Sequence, residues 1–378
     1  MTKLLFACII ILSGFSVIAQ KTNTKPLQPA IAIPDSSTKT TSGISSFIKQ
    51  NYSSDSDRLK AIFVWEATNI SYDVDNMFLL TYGQGKQEKI DKALQTRMAI
   101  CEGYAELFVA LLRECNISAV VVEGYTKQKG MVDYIPHAWV AAMVNNKWQL
   151  YDPTWSSGYL LNGKFVKAFT NRFYNVPAEE MIKTHMPFDP LFQFLNYPLT
   201  SKEFYDNNFA VNTAKPVFNF EDSLTYHAKL PEVDQLKNTA RRIENNGVRS
   251  SMIMQMLQYV KNSELNLQAE VLNKASGKAN QAVEAYNEYV QFKNKQFNPK
   301  KEDSEIAQML VTVQSKLDTA SKMLSDIRVN DPSYVQSVGQ INKSIFDLQK
   351  SLDEEKLFVA KYLKTKKLFR PLMFKKIG

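Results

Sequence analysis

Between Cys101 and Tyr151 the spacing of apolar residues changes once, and no single-class fold accommodates both halves. Tyr104, Leu107, Phe108, Leu111 and Leu112 recur at steps of three and four, which predicts a helix starting at Cys101 and ending near Asn116. From residue 118 the composition becomes that of strands: 118–125 holds Ala119-Val120-Val121-Val122, and 137–144 and 147–151 follow. Asn145-Asn146 separates the last two runs and suits a tight hairpin, because Asn tolerates left-handed backbone. A helix leading into an antiparallel sheet predicts α+β architecture.

The same stretch carries a thiol, an imidazole and a carboxylate. Cys101 opens the helix, His137 opens a strand and Asp152 follows one, at separations of 36 and 15 positions. Only a fold can bring them together. A thiol is a useful nucleophile as thiolate, and a helix N-terminus, a neighbouring imidazole and an acid that orients the imidazole all favour that form. The backbone N–H of Cys101 would face an oxyanion, and Gly103 permits close approach.

At 378 residues the chain exceeds one typical domain. Residues 1–19 read as a cleaved signal peptide, with Lys3 ahead of an apolar run and Val17-Ile18-Ala19 at the cleavage point, which predicts a secreted or periplasmic protein. Removing them leaves Cys101 and Cys115, 14 positions apart on one helix. That is roughly 21 Å along the axis, while a disulfide needs Cα atoms within about 7 Å. Cys101 is thus a free thiol and Cys115 a small buried filler. A net charge of +8 is spread through mixed acids and bases, which disfavours bulk nucleic-acid binding. No phosphate-cradling glycine loop or dinucleotide fingerprint is present, so no cofactor is expected. Three histidines without paired cysteines predict no metal site.

Arg97-Met98-Ala99-Ile100-Cys101-Glu102-Gly103-Tyr104-Ala105-Glu106-Leu107, then Glu123-Gly124-Tyr125, His137-Ala138-Trp139 and Tyr151-Asp152-Pro153-Thr154-Trp155, resemble the transglutaminase-like superfamily. The bacterial branch related to the kyphoscoliosis peptidase is the most similar. The resemblance covers roughly 45–200 and implies a papain-like core of N-terminal helices packed on an antiparallel sheet. Position by position it makes Cys101 the nucleophile, His137 the general base and then acid, and Asp152 the orienting acid. Gln95 lies six positions upstream of Cys101, the spacing papain-like proteases use for an oxyanion glutamine. Tyr104, Trp139 and Trp155 are expected as cleft walls, and Tyr72 as structural. His185, with Asp189 nearby, is the rival imidazole and reads as structural.

The domain plan is therefore a signal peptide over 1–19, a flexible lead-in over 20–42, a transglutaminase-like domain over 43–200, a connector over 201–230 and a helical domain over 231–378. Residues 81–92 read as a polar loop, and 156–230 give no clear period. In the last domain Ile306 to Ile327 and Val335 to Leu352 keep helical steps, predicting a bundle or a long helical hairpin. The tail 361–376 holds seven Lys or Arg, from Lys361 to Lys376, interleaved with apolar residues, which suits an anionic envelope or membrane surface.

The expected activity is an exported cysteine hydrolase, a peptidase or amidase working on a protein or peptide through a thioester acyl-enzyme. Two alternatives stay open: a protein-glutamine transglutaminase with the same triad, and a catalytically silent envelope scaffold. Oligomeric state is not legible.

Overall fold

The structure is a computed structural model that describes residues 27, 31–79, 84–325 and 332–374. The expected signal peptide and residues 20–26 of the lead-in lie outside the described residues. Chain contacts divide it into two compact units after Val260.

The first unit begins with a 3-10 turn and two helices, α1 (Thr41–Asn51) and α2 (Asp55–Asn69). Ser54 caps α2 by accepting from the Asp57 N–H. Next come β1 (Ser71–Tyr72), α3 (Lys86–Thr96), β2 (Met98–Ala99) and α4 (Cys101–Glu114). Helix α3 corrects the expected loop over 81–92. Its Ile90, Ala93 and Leu94 are the apolar residues of a mostly charged helix and are buried against the rest of the unit. Helix α4 ends one residue before Cys115, with Asn116 in left-handed backbone. Phe63, Phe108 and Tyr151 stack edge-on between α2, α4 and the sheet.

The sheet is β3 (Ala119–Gln128), β4 (Met131–Val144) and β5 (Lys147–Tyr151), with Asn145 and Asn146 at positive φ in the hairpin turn. After β5 come a short helix α5 (Pro153–Ser157), a hairpin β6 (Gly158–Leu161) and β7 (Lys164–Lys167), a turn of helix α6 (Ala178–Met181), and β8 (His185–Pro187). Strand order is β5-β4-β3-β8, antiparallel throughout. Gly124 makes the β3–β8 pairing possible. A Cβ there would sit 2.2 Å from the Met186 carbonyl oxygen and 2.6 Å from the Trp139 ring. The α+β expectation holds, and an otherwise periodless stretch supplies the fourth strand.

Helices α7 (Ser201–Tyr205), α8 (Phe220–Lys229) and α9 (Glu232–Asn246) follow, and Gly247 at φ 100° stops α9. The sequence divided the chain near 231. Contacts divide it after Val260 because Ala240 and Ile243 of α9, and Met252 to Val260, share a core with Tyr125, Met186 and Phe204.

The second unit is built on α10 (Ser251–Asn294), which starts in the first unit, α11 (Asp303–Ser325) and α12 (Pro332–Lys364). Leu310, Val313, Leu317 and Ala320 of α11 meet Ala275, Ala282 and Tyr289 of α10 and Leu348 and Leu352 of α12. Lys293 pairs with Glu355 across the helices at 2.6 Å. Within the basic tail, Arg370 is buried and grips both Asp303 oxygens, at 2.6 and 2.7 Å. Lys375 and Lys376 lie outside the described residues.

Candidate active site

Cys101 is the first residue of α4, and the residue before it offers no side-chain cap. The first N–H groups of a helix have no intrahelical partner and carry the positive end of its dipole. Two short parallel strands hold this corner: Tyr72 pairs with Ala99, and the Asp73 N–H donates to the Ala99 carbonyl at 3.0 Å. Gly103 fits because a Cβ would lie 2.9 Å from the Ala99 Cβ. Glu102 is ion-paired with Lys89 of α3.

Asp152 caps α5, and Pro153 takes the first helical position, where a missing N–H is harmless. Its Oδ1 accepts from the Trp155 N–H at 3.0 Å, which leaves Oδ2 to the imidazoles. His137 Nε2 lies 2.8 Å from Oδ2. The other nitrogen, Nδ1, is the one left for Cys101, which lines the same small cavity as His137 and helps to raise its pKa. The structure therefore brings the three expected residues together.

It brings a fourth. His185 Nε2 lies 3.1 Å from the same Oδ2, and its Nδ1 lies 2.8 Å from the Thr184 hydroxyl. His137 and His185 flank β3 from opposite sides, opposite Gly124 and Thr126 respectively. Their rings are 5.6 Å apart and share a box of Trp139, Trp155 and Phe173. The sequence reading of His185 as merely structural missed this link. The one available signal was His185 itself, since Asp152 lies 33 positions away.

The electrostatics separate the two rings. Burial opposes charge on His137, but the charge and hydrogen bond of Asp152, joined by those of Cys101, outweigh it and push its pKa up to about 10. Burial also dominates at His185, and there Asp152 does not overcome it, so its pKa falls below the ordinary imidazole value. Asp152 resists burial because His137, first by its charge, and then His185 hold its carboxyl well below the usual range. The surroundings thus favour the charged form of His137 and the neutral form of His185.

Cys101 opens onto a cavity of about 220 Å³ lined by Phe78, Leu79, Tyr134, Ile135, Met252 and Gln255 among others. A second cavity of about 10 Å³ lies between Cys101, Glu123, His137 and Phe188. Neither is lined by the residues expected as cleft walls. Tyr104 is fully buried, and its hydroxyl donates to the Ile70 carbonyl, because the helical face that carries it is the core face. Trp139 is buried and Trp155 half-buried, and both pack against the imidazole rings. Gln95 is exposed on α3 and lines neither cavity. Tyr72 is closer to the chemistry than expected. Burial, then Cys101, Asp152 and Asp73, raise its phenol pKa.

His137, Asp152 and His185 offer three ligand atoms within 4.8 Å of one another, among the described residues the one such set of three or more metal-binding types. Their hydrogen bonds already satisfy each other, and the donors fit a shared carboxylate.

Residues 43–153 match the family described as the transglutaminase-like superfamily. Over 169 residues the chain is 30% identical to the kyphoscoliosis peptidase of Mus musculus, covering 41% of this chain and 24% of that protein. The Homo sapiens kyphoscoliosis peptidase is 28% identical over 169 residues, covering 42% and 25%. The chain thus spans about a quarter of the length of these curated relatives. A solved structure described as a TGase is 20% identical, covers 37% of this chain and 36% of its own, and gives a TM-score of 0.25. On the matched residues and the assembled Cys-His-Asp corner, the chain carries a domain of the transglutaminase-like superfamily.

Proposed function

We propose that this protein is a cysteine hydrolase, a peptidase or amidase acting on protein or peptide substrates. The observation that carries the reading is His137, bonded through Nε2 to a buried carboxylate with its other nitrogen left for Cys101. Cys101 as thiolate attacks the scissile carbonyl carbon, forming a C–S bond and placing negative charge on oxygen beside the Cys101 N–H. Collapse breaks the C–N bond. The imidazolium of His137 gives its proton to the departing amine, leaving a thioester. His137 then takes a proton from water, which attacks the thioester; breaking the C–S bond releases the acid and returns the thiolate–imidazolium pair.

Departure of the amine requires a protonated His137, so hydrolysis should persist across neutral pH and fall as pH rises through about 10. Iodoacetamide should label Cys101 well below pH 8. Labelling should vanish in Cys101→Ala and slow by about 10²-fold or more in His137→Ala. Labelling at the rate of an ordinary thiol would remove the reading and favour a silent scaffold. Incorporation of a fluorescent amine into a glutamine peptide, with no net hydrolysis, would assign transamidation instead. We infer export from the leader-like residues 1–19. Producing the protein with them intact and sequencing its N-terminus checks this alongside.

A further inference from the structure

The second imidazole does not face substrate. His185 is 1% exposed, lines neither cavity and is enclosed by Trp139, Trp155 and Phe173. Packing alone would be served by another aromatic ring, yet both of its nitrogens are engaged. Asp152 Oδ2 can only accept, so in a neutral ring the proton sits on Nε2, and Nδ1 accepts from the Thr184 hydroxyl at 2.8 Å, a shorter approach than that hydroxyl's 3.3 Å to the Met181 carbonyl. Nε2 is then the N–H, donated to Asp152 Oδ2. Two donors share one carboxylate oxygen, at 2.8 and 3.1 Å, while Oδ1 is spent on the Trp155 N–H.

We propose that His185 is a positioning residue that competes with His137 for Asp152 Oδ2, and so limits how firmly the carboxylate holds the His137 proton. This rests on the hydrolase reading above for its consequence. A general acid is effective when it can release its proton near the working pH. A buried carboxylate with His137 as its sole imidazole partner would keep that proton too tightly. The neutral N–H of His185 draws off part of the carboxylate's charge and sets its positive end toward the imidazolium. It does so without adding a charge to a buried site. The charged or titratable groups around the pair are Cys101 on His137, Tyr72 and Tyr104 on Asp152, and Asp133 on His185. None of these donates to Oδ2.

The sign of one shift tests this. In a Cys101→Ala background labelled with ¹⁵N-histidine, NMR should show His185 as the neutral Nε2–H tautomer at neutral pH and above. His185→Phe keeps the ring's bulk and removes the donor. It should move the His137 titration midpoint up by about half a unit or more. His185→Gln can return an N–H to Oδ2 and should leave the midpoint near its original value. Were His185 only filling space, loosening of the box would let water reach the pair. The midpoint would then fall toward the ordinary imidazole value in both variants, and that result overturns the proposal. A His185 found protonated or carrying its proton on Nδ1 overturns it as well. An unreactive Cys101 would defeat the hydrolase reading, while the NMR midpoints would still decide the role of His185.

Discussion

The two units handle buried polarity in opposite ways. Among the described residues, sixteen polar or charged side chains are buried up to Val260, against two beyond it, Gln268 and Arg370. Beyond Val260, apolar residues at steps of three and four close a core between long helices, and a buried charge such as Arg370 is satisfied by one bidentate partner. Before it, Asp152, His137, His185 and Glu66 sit where desolvation penalises charge. A chain retains such groups where their chemistry offsets that cost. On the proposed function, the contrast divides stability, in the helical unit, from reactivity, in the sheet unit.

The largest effect expected from breaking this contrast is at the shared carboxylate. Asp152→Ala strands a buried imidazolium and should cost about 3–5 kcal/mol. Thermal unfolding should show the loss in the first unit, and iodoacetamide labelling at pH 6 should drop to that of an ordinary thiol. Next comes Leu317→Ala in the second unit, where a fully buried side chain leaves a cavity. It should cost about 2–5 kcal/mol and leave the rate of Cys101 labelling unchanged. A slowed thiol there would refute the division of labour.

The smallest effect sharpens the comparison at Glu66, which is fully buried on α2 with neither carboxyl oxygen hydrogen-bonded. Burial raises its pKa well above the ordinary value, so the folded state keeps a proton that the unfolded state loses. That stabilisation is complete below the unfolded carboxyl pKa and is lost as pH rises toward the folded one, by about 1.4 kcal/mol per pH unit. Glu66→Gln should flatten this slope in urea unfolding measured from pH 4 to 9. An unchanged slope would mean that Glu66 has a partner.

Much of this was readable before any coordinates. The Cys101 helix, the Asn145-Asn146 hairpin and the gathering of thiol, imidazole and acid follow from period and motif over 101–155. Tyr104 shows the limit: its spacing places it on the buried face, and the structure keeps it there, away from the cleft. Helix α3 was read as a loop because only three of its residues are buried. His185 escaped for a different reason. Its strand has three residues, too few to display alternation, and it is positioned by Gly124 on another strand and by a carboxylate far along the chain. Local pattern cannot report a contact made by two distant segments.

Helix α4 also carries a redox consequence. Cys115 is fully buried at its far end, a helix length from Cys101. An oxidised Cys101 sulfenic acid would thus find no resolving thiol inside its own unit among the described residues. Its recovery depends on small thiols or reductants from the surroundings, so the redox poise outside the protein sets how much of it is competent at any moment.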